Sequence, residues 1–146
     1  MKNKVYRFCV LIILTSISYS TNAQDRNIAL KDIPQPITTY LKTHFPNKAV
    51  LKASFDDHTV YKKYEIELKN KISLEFNPQF TVIEIKSKSK LPDSVIPEKI
   101  LKYIISNYPK NSILDWELDN GIQKIELNNG YDLEFNLNGE FIRIEK

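Results

Sequence analysis

From Pro34 onward, apolar side chains fall at Ile37, Tyr40, Leu41 and Phe45, the spacing of one helix face. Pro46 closes the run, because the residue before a proline is pushed out of the α region. This predicts a helix over about 34–45. The period then changes from helical to alternating. Leu51, Ala53 and Phe55 interleave with Lys52, Ser54 and Asp56, and Tyr64, Ile66 and Leu68 with Glu65, Glu67 and Lys69. Ile72, Leu74 and Phe76 alternate with Ser73, Glu75 and Asn77, then Thr81, Ile83 and Ile85 with Val82, Glu84 and Lys86. Four such strands, joined by turns at Asp57-His58, Asn70-Lys71 and Pro78-Gln79, predict an antiparallel meander with one apolar and one wet face.

The same plan returns after a basic linker, Lys86-Ser87-Lys88-Ser89-Lys90. Ile96-Pro97 matches Ile33-Pro34, Tyr103 matches Tyr40, and Tyr108-Pro109 matches Phe45-Pro46. Leu114, Trp116 and Leu118 take the places of Leu51, Ala53 and Phe55. Leu74-Glu75-Phe76-Asn77 recurs as Leu133-Glu134-Phe135-Asn136, preceded by Ile66-Glu67-Leu68 in one copy and Ile125-Glu126-Leu127 in the other. The offset is 63 residues up to the first hairpin and 59 after it, so the second unit has the shorter first hairpin, turning at Asp119-Asn120-Gly121. A phrase, its neighbours and its spacing repeating together indicate a duplicated unit. The expected fold is α+β: two tandem α-β-β-β-β repeats, about 30–86 and 91–146, forming one antiparallel sheet of up to eight strands with the helices packed on one face.

The first residues follow a different logic. Lys2, Lys4 and Arg7 precede an apolar stretch, Phe8 to Ile17, and Thr21-Asn22-Ala23 then supplies small or polar residues. That order predicts a secretory signal over 1–23, leaving 24–146 as a single domain in the periplasm or outside the cell, with no membrane span after cleavage. The signal holds three of the 21 basic residues and no acid, so the remainder carries 18 of each sign. The apparent basicity belongs to the signal, and a nucleic-acid partner is not expected. The only cysteine, Cys9, lies inside the apolar stretch, which excludes thiol chemistry and disulfides from the remainder.

The Ile-Pro starts, the helices ending in aromatic-Pro, Ile-Glu-Leu-Asn-Asn-Gly at 125–130 and Leu-Glu-Phe-Asn-Leu-Asn-Gly at 133–139 together resemble the PepSY-like family, also described as β-lactamase-inhibitor-like periplasmic proteins. The resemblance covers about residues 30–146 and is closer in the second unit. The first unit departs at two turns, with Asn70-Lys71 where Asn-Gly is usual and Gln79-Phe80 where a glycine is usual. The resemblance implies a fold similar to a tandem-repeat inhibitor of β-lactamase, in which a concave sheet grips a partner enzyme. It transfers no active site, because the motif residues are turn and core residues.

Candidate chemistry is sparse. The two histidines, His44 and His58, stand apart, and no nucleophile elbow, zinc-helix motif, phosphate loop or twelve-residue calcium loop is present. Glu65, Glu67, Glu75, Glu84, Glu126, Asp132 and Glu134 gather on the wet face, but Lys69, Lys86, Lys124 and Arg143 alternate onto it too, so cross-strand ion pairing accounts for them. Trp116 is expected in the core with Leu114 and Leu118. By strict alternation Val82 and Phe141 fall on the wet face beside Glu134 and Arg143, and these four form the expected partner-binding face. The expectation is an exported, non-enzymatic protein without cofactor or metal that binds another exported protein, as an inhibitor or regulator of an enzyme, through the open sheet face. The alternative is a carrier of a small or amphipathic ligand.

Overall fold

The computed structural model describes residues 26–57 and 62–145. The expected signal, Cys9 and His58 lie outside the described residues. The elements are β1 (Arg26–Asn27), α1 (Gln35–His44), β2 (Val50–Asp56), β3 (Lys63–Leu68), β4 (Ile72–Phe76), β5 (Val82–Ser87), α2 (Glu98–Asn107), β6 (Ile113–Asp119), β7 (Ile122–Leu127), β8 (Asp132–Asn136) and β9 (Phe141–Glu145). All strands join one antiparallel sheet whose spatial order is the chain order, β1 to β9. The α+β plan of two α-β-β-β-β repeats is present, and the lead segment adds a two-residue ninth strand that pattern alone did not reveal, pairing Arg26 with Phe55 and Asn27 with Ser54.

Local chemistry places the ends of each helix. Pro34 and Pro97 stand immediately before the first helical residue, where a missing N–H leaves no bond unmade. The aromatic residues closing the helices, Phe45 and Tyr108, donate their backbone N–H groups to the carbonyls of Leu41 and Ile104 at 2.8 and 2.7 Å. Both helices lie on the same side of the sheet. Tyr40 of α1 meets Phe76 edge-on at 5.5 Å, and Tyr103 of α2 meets Phe135 edge-on at 5.3 Å.

The repeated four-residue phrase divides its labour identically in each copy. The Leu and Phe side chains (Leu74, Phe76, Leu133, Phe135) are fully buried, while the Glu points to the opposite face. The Asn caps the following turn: the Asn77 side-chain oxygen accepts the N–H groups of Gln79 and Thr81 at 3.0 and 2.9 Å, and Asn136 does the same for Asn138 and Glu140 at 2.9 and 3.0 Å. This side-chain to backbone bonding is why an asparagine recurs there.

The core is organised by one row of directly opposed residues crossing eight strands: Ala53, Ile66, Leu74, Ile85, Trp116, Ile125, Leu133 and Ile144. Trp116 is buried here, as expected, and its indole N–H donates to the buried Gln123 side chain at 3.2 Å. Four β-bulges interrupt the alternation, one each in β2, β5, β6 and β9, each adding one residue to its strand. In β2 the extra residue is Leu51, so it projects outward at 63% exposure while Val50 turns toward the core. Leu114 repeats this in β6 beside Ile113. The expectation that Leu51 and Leu114 are core residues is therefore corrected, because one inserted residue exchanges the faces of everything before it.

The two turns that depart from the family pattern keep its backbone without its glycines. Lys71 and Phe80 hold φ of 59° and 63°, where their counterparts Gly130 and Gly139 hold 79° and 75°. At Gly139 a side chain is also sterically barred, since a Cβ would lie 2.9 Å from the Cβ of Lys99 on α2. A left-handed conformation at a residue bearing a Cβ costs about 1–2 kcal/mol. Lys71→Gly is expected to raise stability by about 0.5–1 kcal/mol in urea titrations, since the relief exceeds the added unfolded-state entropy. In the same titrations Phe135→Ala is expected to cost about 3–5 kcal/mol and Leu51→Ala less than about 0.5; a large loss at Leu51 would restore the unbulged register.

Candidate functional site

The face opposite the helices carries two rows of directly opposed polar residues. One runs Ser54, Glu65, Glu75, Glu84, Glu117, Lys124, Glu134, Arg143; the other runs Lys52, Glu67, Ser73, Lys86, Asp115, Glu126, Asp132, Glu145. Among the described residues no helix covers this face, because both helical connections cross on the other side. Four glutamates, Glu65 to Glu117, are consecutive in the first row. Like charges directly opposite one another oppose sheet formation, so each needs compensation.

Two cations, Lys63 and Lys86, supply most of it, and Arg143 serves Glu134 farther along the row. Lys63 bonds Glu75 at 2.7 Å and Glu65 at 3.1 Å. Burial works against the lysine's charge, but those two partners overcome it and hold its pKa above the usual lysine value. Glu75 is nevertheless raised, first by burial and then by the charges of Glu84 and Glu65, against the pull of Lys63. Lys86 contacts Glu84 and reaches Asp115 at 3.6 Å. Arg143 grips Glu134 through two bonds, Nε to Oε2 at 2.9 Å and Nη2 to Oε1 at 3.2 Å. Glu134 is itself buried, and the two-pronged guanidinium contact makes that burial tolerable.

The least satisfied group is Asp115, on β6 at the seam between repeats. Its Oδ1 is buried without a hydrogen-bond partner among the described residues. Burial pushes its carboxyl up to about 7, opposed by Lys86 and reinforced by Glu84, Glu126 and Glu117. Farther along the seam an open groove of about 700 Å³ runs between the turn after β4 and the turn after β6, lined by Ile83 together with Lys63, Glu75, Glu84, Glu117 and Asp119. Among the described residues no group of three or more histidine, cysteine, aspartate or glutamate side chains is placed to hold a metal ion. His44 lies on the helix side, its Nδ1 3.0 Å from Ser94 Oγ and its ring against Tyr40.

Of the four residues expected on this face, Glu134 and Arg143 are there and paired. Val82 and Phe141 are not. Bulges at Ile83 and Ile142 bring Val82 opposite Phe76 and Phe141 opposite Phe135, both on the helix-bearing side. The Phe141 ring stacks on Tyr103 at 4.9 Å with an interplanar angle of 10°, although the residue stays 37% exposed at the sheet edge. The residue alternation missed, Ile83, follows from the same bulge that moves Val82, whereas Asp115 lies on the face that alternation from Trp116 gives it. A signal for the bulges exists: each falls at an apolar doublet, Val50-Leu51, Val82-Ile83, Ile113-Leu114 and Phe141-Ile142, which strict alternation cannot bury on one face.

Two outcomes test this geometry. Asp115 has a folded pKa raised above its unfolded value, so the fold binds its proton more tightly than the unfolded chain does. Its contribution is therefore most favourable below the unfolded pKa, declines as pH rises, and has been lost once pH passes about 7. Asp115→Asn is expected to be more stable than the parent at pH 8, with the difference shrinking toward pH 4, in thermal melts across that range. Phe141→Ala is expected to cost about 1–2 kcal/mol, between the values for an exposed and a core phenylalanine, because it removes the stack on Tyr103.

Comparison with known proteins agrees with this architecture. The chain is 31% identical to a Bacteroides vulgatus protein whose solved structure is described as periplasmic; the match covers 86% of this chain and 99% of that one, with a TM-score of 0.79. It is 30% identical to a Bacteroides thetaiotaomicron protein described as calcium-regulated and periplasmic, over 84% of this chain and 97% of that one, also at a TM-score of 0.79. A second Bacteroides vulgatus protein of unknown function, at 24% identity and a TM-score of 0.77, shares the fold over 84% of this chain and all of its own length. No curated protein matches the sequence. The family described as "Putative beta-lactamase-inhibitor-like, PepSY-like" matches residues 19–84 and 83–143, one match for each repeat, and the chain belongs to that family.

Proposed function

We propose that the protein is an exported, non-enzymatic binding protein whose uncovered charged sheet face engages another exported protein, as an inhibitor or regulator of an enzyme. The observation that carries this reading is the one-sided fold: among the described residues nine strands with both helices on the same side leave a broad face uncovered, and a groove on it is lined by Ile83 together with charged side chains. Apolar side chains among polar and charged ones are the mixed lining that protein interfaces use. The inhibitor-like description of the family supports the direction of the effect. Glu134 and Arg143 extend the charged rim, while Ile83 replaces Phe141 as its apolar anchor.

A second reading, a carrier of an amphipathic ligand, is favoured by a smaller groove of about 400 Å³ between α1 and the start of β2, lined by Leu30, Ile33, Leu41, Phe45 and Val50. Native mass spectrometry of the purified protein separates the two, since a carrier retains a reproducible extra mass.

The test of the main reading is affinity capture from the exported fraction, comparing the parent with Ile83→Asp and Glu117→Lys. Both side chains lie at the groove, so the variants are expected to stay folded and to weaken capture of the principal partner by about tenfold or more, the effect of losing somewhat over 1 kcal/mol at an interface centre. Undiminished capture by both variants, or a retained small ligand with no protein partner, would overturn it.

A further inference from the structure

The two repeats join where β5 meets β6, through three directly opposed pairs: Glu84 with Glu117, Ile85 with Trp116 and Lys86 with Asp115. The 59-residue repeat carries Glu84, Ile85 and Lys86 onto Arg143, Ile144 and Glu145 of β9. Their inner pairing is equivalent as well. Glu84, Ile85 and Lys86 lie opposite Glu75, Leu74 and Ser73, and Arg143, Ile144 and Glu145 lie opposite Glu134, Leu133 and Asp132. The outer edge of β9 is thus the same edge that, one repeat earlier, already accepts an antiparallel strand. Among the described residues no strand pairs with it. The consequence is visible in burial: Ile85 is 0% exposed and Ile144 is 40% exposed, with Ile142 beside it at 46%.

Open edges of this kind are usually blunted by charge. Here the two charges have opposite sign and stand two residues apart on one face, so they can serve pairing instead of opposing it. An antiparallel partner identical to β9, centred on Ile144, sets Arg143 opposite Glu145, Glu145 opposite Arg143, and Ile144 opposite itself. Centring on Arg143 would oppose two guanidinium groups, and centring on Ile142 would leave Glu145 without a cation opposite. Within one copy Arg143 and Glu145 already contact each other at 2.6 Å, so the two charges are within reach of pairing, and association exchanges the intrastrand contact of each copy for two between copies.

We propose that the chain forms a two-fold homodimer through antiparallel pairing of residues 143–145 of β9, joining two sheets edge to edge. The interface is isologous and closes on itself. Because the axis passes through the sheet at Ile144, both helix layers fall on one side and both charged faces on the other, which doubles the free face. The dimer is independent of whether that face binds another protein. A contact of one short strand is small, so the association is concentration-dependent.

The test uses protein purified from cells expressing the full chain. Sedimentation equilibrium over a series reaching about 1 mM is expected to show the mass rising from one copy to two; one copy throughout overturns the proposal. Glu145→Lys changes an exposed side chain, leaves the Arg143–Glu134 contact in place and sets like charges across the axis. It is expected to shift the protein toward the single copy, and an undiminished dimer would overturn the register. With Cys9 replaced by serine, Ile144→Cys is expected to give a covalent dimer on mild oxidation, because directly opposed antiparallel residues lie within disulfide reach. Leu137→Cys, at a 66% exposed turn position, is the control and is expected to stay uncrosslinked. Equal crosslinking of the two cysteine variants would mean random collision and would overturn the proposal.

Discussion

Everything in this molecule depends on register. A strand presents alternate residues to alternate faces, so a slip of one position would move a row of leucines and isoleucines into water and a row of glutamates into the core. The row from Ala53 to Ile144 holds because each turn leaves the next strand no choice of partner. Asn77 and Asn136 hold the last hairpin of each repeat by binding two backbone N–H groups each. Positive φ at Lys71 and Phe80 shows the same requirement from the other side: the chain accepts local strain there to keep the geometry that glycine provides at Gly130 and Gly139. Phe80 recovers part of that cost by packing its ring 5.5 Å from Tyr64.

Register also explains which parts of the structure were legible from sequence. Helices, strands, repeat boundaries and the shorter second hairpin follow from periods and proline positions, because those depend on near neighbours in the chain. Phe76 and Phe135 were identifiable as core because they lie within uninterrupted alternation. Phe141, Val82, Leu51 and Leu114 were misassigned for one shared reason. A bulge adds a residue without any proline or glycine to mark it, and reading past it by strict alternation reverses the faces. The apolar doublets were the trace it left, since two successive apolar residues cannot both face one core. β1 was invisible for a different reason: two residues carry no period, and Arg26 and Asn27 pair through backbone groups that any residue possesses.

The charged face was legible as a set of residues but not as an energetic arrangement. Alternation shows that Glu134 and Arg143 share a side; only the fold shows that Glu134 is buried beneath a two-pronged guanidinium contact. Asp115 is ordinary in sequence and unusual in place. Alternation from the buried Trp116 sets it on the charged face at the seam, where it meets Lys86 at 3.6 Å and the field of three glutamates. Removing a carboxylate from water there costs more than one distant lysine restores, which is why its proton is held to so high a pH.

The two repeats have the same fold and different electrostatics, and the difference is localised. In the second repeat the central row reads Glu117, Lys124, Glu134, Arg143, so each charge faces an opposite one. In the first it reads Glu65, Glu75, Glu84 and continues into Glu117, with Lys63 and Lys86 entering from neighbouring positions. The second row reverses this, with Lys52, Glu67, Ser73 and Lys86 in the first half and Asp115, Glu126, Asp132 and Glu145 in the second, so the acidic run of the central row stands out at the groove that Ile83 lines. Sheet stability alone would favour the alternating arrangement in both halves. The run Glu75, Glu84, Glu117 along a groove is where a partner bringing cationic groups would gain most, since it would neutralise repulsion that the fold by itself leaves in place.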